Sequence, residues 1–168
     1  MSSNVREFLD FIKEGNQALF DASRLNVREY FFSNPSKEDL LDHFVGRMVN
    51  ERMNMVEISK QVANMANNTD PSELQDLSRQ AYDEAVHFKL VKEVVEHIQG
   101  SEINLNDVIL YEAEKPTAKG ADLLAKYDAQ GNPIALAIYQ LVAEGRAQAV
   151  WDEMAKYIND ELDRKSVV

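Results

Sequence analysis

An all-α fold is what this sequence predicts, and three observations predict it. Apolar residues recur in alternating steps of three and four over four long stretches, the pattern of amphipathic helices. A short polar turn, Asn67-Asn68-Thr69-Asp70-Pro71, joins two of these stretches and makes them antiparallel neighbours. With 168 residues and 45% apolar content, the chain is large enough for one cooperative domain, residues 1–168, with its own core.

The first helix is expected over residues 4–33. Val5, Phe8, Ile12, Leu19, Val27 and Phe31 form its stripe, with Phe11, Ala18, Ala22 and Leu25 beside it. Gly15 and Asn16 weaken its middle, so a kink or a division into two shorter helices is expected there. Because this helix is apolar on more than one side, the chain is expected to form a homo-oligomer, in the simplest case a dimer.

Pro35 stops that helix, and Ser36 with Asp39 makes a weak form of the capping box. The second helix, residues 37–67, has the stripe Leu41, Phe44, Met48, Met55, Ile58, Val62 and Met65, and Glu51 fills the gap in its middle. Asp70 caps the third helix, residues 71–99, with Pro71 at its first position and Glu73 in the capping-box place; Gly100 ends it. Its stripe is Leu74, Leu77, Ala81, Glu84, Phe88, Val91, Val95 and Ile98.

From residue 101 to 131 the pattern lapses. INLNDVILYE is read as a short strand or a brief helix, residues 115–120 as connection, and ADLLAKYDA as two or three turns of helix. Asn132 and Pro133 open the last helix, residues 132–163, with the stripe Ile134, Ala137 or Ile138, Leu141, Glu144, Gln148, Trp151, Ala155, Ile158 and Leu162. The tail RKSVV is expected to fray.

Composition excludes several functions. A net charge of −11 repels nucleic acid and anionic membrane, so neither is expected as a partner. There is no cysteine, which removes disulfides, thiolate nucleophiles and iron–sulfur clusters. The start, MSSNVREFLDF, has no signal-peptide pattern, and no long uncharged apolar run suggests a membrane span; a cytoplasmic protein is the expectation. No glycine-rich phosphate loop, G-x-S-x-G or H-x-x-x-H occurs, and no nucleotide or organic cofactor is indicated.

The informative residues are carboxylates on stripes. Glu51, Glu84 and Glu144 occupy mid-helix stripe positions on three helices, and Glu51 and Glu84 lie at equal heights on either side of the turn. An ionised carboxylate in an apolar core needs compensation, and two at one height either raise a pKa or call for a cation between them. A divalent metal is one such cation. Arg47, Arg52, Lys60, Arg79, Lys89 and Arg146 are rivals, since a buried Arg–Glu or Lys–Glu pair answers the same need. Glu84-Ala85-Val86-His87 adds an imidazole: three residues of helix turn about 300° and rise about 4.5 Å, so both side chains point the same way. His43 lies too far along its helix to share a compact site, and His97 sits near a helix end.

The segment DEAVHF with its E-x-x-H resembles the ferritin-like superfamily of carboxylate-bridged di-metal bundles over roughly residues 38–160. The resemblance implies an antiparallel four-helix bundle with one long crossover, residues 101–131. It implies Glu51, Glu84, His87 and Glu144 as metal ligands, with Glu14 as a further carboxylate. The second E-x-x-H of that family is absent from this sequence. A second subunit completing the site, a reduced site for one metal, and a scaffold without chemistry are all open. With hard oxygen donors and one imidazole, the implied cofactor is iron or manganese, zinc also being permitted, and the implied activity is that of a metal-binding oxidoreductase. The alternative is a non-catalytic helical bundle acting as an interaction or structural protein. The catalytic residues and the small-molecule substrate are not legible.

Overall fold

The computed structural model describes residues 3–114 and 133–165, and every element in it is a helix. They are α1 (Ser3–Gly15), α2 (Gln17–Phe32), α3 (Lys37–Met65), α4 (Pro71–Gln99), α5 (Leu105–Glu114) and α6 (Pro133–Lys165). The all-α class holds. The first stretch divides into two helices at its weak middle, and within the expected crossover residues 105–114 take the helical one of their two readings, so the described residues hold more than the four long helices expected. The helix expected in ADLLAKYDA lies outside the described residues. No described helix is long and apolar enough to cross a membrane. The chain divides into two compact units, one of residues 1–35 and 124–168, the other of residues 36–123.

The second unit is built on the α3–α4 hairpin. Ser36 starts α3 with a full capping box: its Oγ accepts from the Asp39 N–H at 3.1 Å, and its own N–H donates to Asp39 Oδ2 at 3.0 Å. The Ser36 hydroxyl also donates to Asp39 Oδ2 at 2.6 Å, and that bond, then the one from the Ser36 N–H, holds the Asp39 carboxyl below its ordinary range. Asp70 caps α4 through the Ser72 N–H at 2.9 Å, with Pro71 in the first helical position. Gly100 ends α4 at φ +87°, a left-handed conformation that glycine adopts without strain.

The two helices run antiparallel. Lys37 at the start of α3 reaches the Gln99 carbonyl at the end of α4, and mid-α3 meets mid-α4 at Glu51 and His87. Phe44, Val45, Met48, Val49 and Ile58 of α3 and Val91 and Val95 of α4 are buried, and most of these are the residues that the stripes place inward. Each fully buried side chain of this size contributes about 1.5–3 kcal/mol.

α5 closes the unit. Asn104 caps it, accepting from the Asn106 N–H at 2.8 Å and the Asp107 N–H at 3.2 Å. Its own N–H donates to Asp107 Oδ2 at 3.0 Å. Ile103 and Val108 are buried, and an Arg52–Glu112 ion pair ties α5 to α3.

The first unit holds α1, α2 and α6. The chain breaks at Asn16, whose side chain donates to the Ile12 carbonyl at 2.8 Å. α2 and α6 pack closely at Gly145, where an added Cβ would stand 2.9 Å from Phe20 Cζ. Phe20, Ser23 and Val27 of α2 and Ala149, Val150, Glu153 and Met154 of α6 are buried. Tyr157 stacks on Phe31 at 5.2 Å between ring centroids.

Two stripes of this unit are corrected. On α2 the inward aromatic is Phe20, while Leu19 is exposed. On α6 the buried residues are those above, whereas Glu144, Gln148 and Ala155 are exposed. Apolar residues surround α6, so periodicity alone does not choose its buried face; the Gly145–Phe20 contact does. The side chains of Ile158 and Leu162 lie outside the described residues.

Candidate metal centre

Glu51 projects from α3 one turn beyond the fully buried Met48, and Glu84 from α4 two turns before Val91. Each glutamate stands at nearly the same distance from its own helix end at the turn, so a regular hairpin brings the two level. His87 follows Glu84 by three residues and shares its face.

The result is a compact cluster. His87 Nδ1 is 3.5 Å from Glu51 Oε2 and 3.8 Å from Glu84 Oε2. One donor atom from each of the three residues lies within 4.8 Å of the others. A nitrogen and an oxygen 3.5 Å apart stand beyond the usual hydrogen-bond range. They do match co-ligands: two donors each about 2.1 Å from one ion are about 3.0 Å apart at a right angle and about 4.2 Å apart when opposed. Burial is graded across the cluster. The side chains of Glu84 and Glu51 are 7% and 12% exposed, and that of His87 is 48% exposed. The carboxylates therefore belong to the packed hairpin, and the imidazole opens the cluster to solvent.

Four rival cations are committed elsewhere. Arg52, the neighbour of Glu51, pairs with Glu112; Lys60 pairs with Glu57, Arg79 with Asp83, and Lys89 with Glu93. Arg47 donates from Nε to His43 Nε2 at 3.3 Å. Burial, and secondarily the Arg47 charge, push the His43 imidazole down to about 4, so it is neutral at pH 7. Arg146 lies on α6, where its Nε donates to Ser23 Oγ at 3.2 Å.

Of the residues expected at the site, Glu51, Glu84 and His87 are gathered in one place, while Glu144 is an exposed residue of α6 in the other unit. Glu153 was not among the expected residues. It is 2% exposed, accepts from Lys156 Nζ at 2.6 Å and Arg28 Nε at 3.1 Å, and lies 3.4 Å from the Tyr157 hydroxyl. The bond from Lys156, then that from Arg28, hold its carboxyl below the ordinary range against the opposing effect of burial. Its signal in the sequence is the spacing Gly145, Ala149, Glu153, Tyr157, a second stripe of four-residue steps that competes with the one through Glu144.

No family model matches the chain, and no curated protein and no solved structure matches it. Fold and site together define a class: an all-α protein whose α3–α4 hairpin carries a carboxylate–histidine cluster of the kind that could hold a metal ion.

Proposed function

We propose that this chain is a ferritin-like metal-binding protein, an iron or manganese oxidoreductase, with its metal at Glu51, Glu84 and His87. The observation that carries the reading is the convergence of two largely buried carboxylates and one half-exposed imidazole, its Nδ1 3.5 and 3.8 Å from them and one donor atom of each residue within 4.8 Å of the others. Each residue has a distinct part. Glu51 and Glu84 supply the negative charge that neutralises a divalent ion, from positions fixed by the packing around Met48 and Val91. His87 adds a borderline nitrogen donor through Nδ1, the nitrogen that faces both carboxylates. An iron or manganese ion, when bound, supplies one-electron redox chemistry toward oxygen or peroxide. The antiparallel α3–α4 pair, with E-x-x-H on one helix and a glutamate level with it on the other, supports the ferritin-like assignment.

Metal analysis of protein purified without chelator tests the reading, followed by reconstitution with Fe(II), Mn(II) and Zn(II). The expected result is at least about one equivalent of metal, lost in Glu84→Ala and His87→Ala. Metal well below one equivalent after reconstitution would sink it. Oxidation of Fe(II) by oxygen or peroxide, faster with the wild type than with His87→Ala, tests the redox part.

A second reading has its own observation. Val5, Phe8 and Phe11 of α1 are exposed, Phe11 at 70%, and so are Leu25 and Phe32 of α2. Exposed apolar residues in such number suit an interaction or structural protein, or a homo-oligomer. Native mass in solution, compared between the wild type and Phe8→Ser/Phe11→Ser, tests this: an unchanged monomer in both would count against self-association.

A further inference from the structure

The number of ions a site holds is limited by its donors, and the three that gather among the described residues belong to one hairpin. Glu51 comes from α3, Glu84 and His87 come from α4, and both helices lie in the same compact unit. The His87 Nδ1 distances of 3.5 and 3.8 Å fall within the spread of donors around a single ion. Two ions side by side are about 3.5–4 Å apart, and in di-metal bundles they draw on about six side chains. Among the described residues of this unit, no other three His, Asp or Glu donors gather. Glu112, the α5 carboxylate tied to α3, is engaged by Arg52.

Charge points the same way. Two carboxylates and a neutral imidazole balance one divalent ion completely. A second ion would add two positive charges beside carboxylates embedded in a packed hairpin, with no further carboxylate in the cluster to meet them.

We infer that the α3–α4 hairpin carries a mononuclear centre: one divalent ion per chain, held by Glu51, Glu84 and His87. This inference rests on the metal-binding reading above and makes it narrower. It separates this chain from the two-ion arrangement that the E-x-x-H resemblance implies, and it gives the ion a mechanical role. An ion ligated from both helices at mid-length ties α3 to α4, so binding slows the opening of the hairpin.

The experiment is a titration of the metal-free full chain with Mn(II), followed by calorimetry and electron paramagnetic resonance, with amide hydrogen exchange before and after. The expected end point is one Mn(II) per chain, with the spectrum of an isolated ion. Glu144→Ala should bind within about threefold of the wild type, and Glu51→Ala and His87→Gln should bind at least about tenfold more weakly. Exchange should slow in α3 and α4 around Glu51 and Glu84, and stay unchanged in α2. His87 is half-exposed, so the conservative His87→Gln should fold even if a glutamate variant does not; circular dichroism checks this. Two Mn(II) per chain, a spin-coupled spectrum, or a loss of about tenfold or more in Glu144→Ala would each overturn the single-ion inference while leaving metal binding intact. No binding of Mn(II), Fe(II) or Zn(II) would overturn the metal reading, and the inference with it.

Discussion

Each compact unit of this chain buries a glutamate on a long helix, and the two glutamates are treated in opposite ways. Glu153 of α6 receives Lys156 from its own helix and Arg28 from α2, and its charge is answered by the fold itself. Glu84 of α4 is set level with a second carboxylate, Glu51, and a half-exposed imidazole stands 3.8 Å from it. A buried carboxylate matched by guanidinium and ammonium groups is a structural element. Two carboxylates brought together with an imidazole repel each other and gain most from an added cation. The contrast separates the site from the scaffold better than burial does, since both glutamates are almost fully buried.

Removing the carboxylate at the two positions should therefore have opposite effects, and the larger is at Glu153. Glu153→Ala removes the acceptor for Arg28 and Lys156 and leaves a gap beside Met154. Both cations are substantially exposed and regain water, which limits the cost to about 2–3 kcal/mol. Chemical denaturation followed by Trp151 fluorescence measures it. Metal binding should be unaffected.

Glu84→Met should do the reverse. It replaces one of two apposed carboxylates by an apolar side chain of similar size on a packed helix face. The metal-free protein should gain about 1–2 kcal/mol while metal affinity falls at least about 100-fold, the usual trade at a functional site. Denaturation of the chelator-treated variant checks the gain. Equal destabilisation by Glu84→Met and Glu153→Ala would erase the distinction between the two glutamates.

This asymmetry also explains how much could be read in advance. The α3–α4 hairpin was legible because its turn is short, its caps are strong and its apolar residues keep to one side; matching heights across the turn then placed Glu51 beside Glu84. α6 was not legible to the same degree. Its apolar residues run all round the helix, and its rotation is set by Phe20 against Gly145, a contact between residues far apart in sequence. The stripe through Glu144 puts that residue on the buried face, yet it is exposed, and Glu153, which lies off the stripe, is in the core. The apolar run of α5 suits a strand as well as a helix, and the Asn104–Asp107 capping box is what fixes it as a helix.

Acid should separate the units as well. Burial holds His43 in the second unit neutral down to about 4, whereas in the unfolded chain it takes up a proton near its ordinary value of 6.5. The unfolded state then binds more protons across that window, so the second unit loses stability as pH falls from about 6.5 towards 4. The Glu153 contribution behaves differently. Its folded pKa is depressed, so its stabilisation is complete above the ordinary carboxyl value of 4.5 and is lost only as pH falls through a lower folded value. The second unit should weaken first on acidification. His43→Gln should flatten that upper part of the acid limb by about 1 kcal/mol, since His43 is only half-buried. Hydrogen exchange at stepped pH, read separately for α3 and for α2, measures the difference, and comparison with His43→Gln removes the contribution of His87, which both proteins share.

The smallest effect tests whether the cluster needs support beyond the hairpin. Arg52 adjoins Glu51 in sequence but is turned to α5, where it pairs with Glu112. Both partners are partly exposed, so Glu112→Gln should cost under about 1 kcal/mol. If the hairpin alone positions the ligands, this variant should bind Mn(II) within about twofold of the wild type while α5 exchanges its amides faster. A loss of about tenfold or more in affinity would mean that the α5 contact helps hold Glu51 in place, and the ligand-bearing structure would then be α3, α4 and α5 together. The two outcomes differ in what orients Glu51: the ridge of Met48 and Ile58 packed against α4, or the pull of its neighbour toward Glu112. Met48 is fully buried and the Arg52–Glu112 pair is not, and packing of that kind constrains a helix face more than a solvent-screened ion pair does.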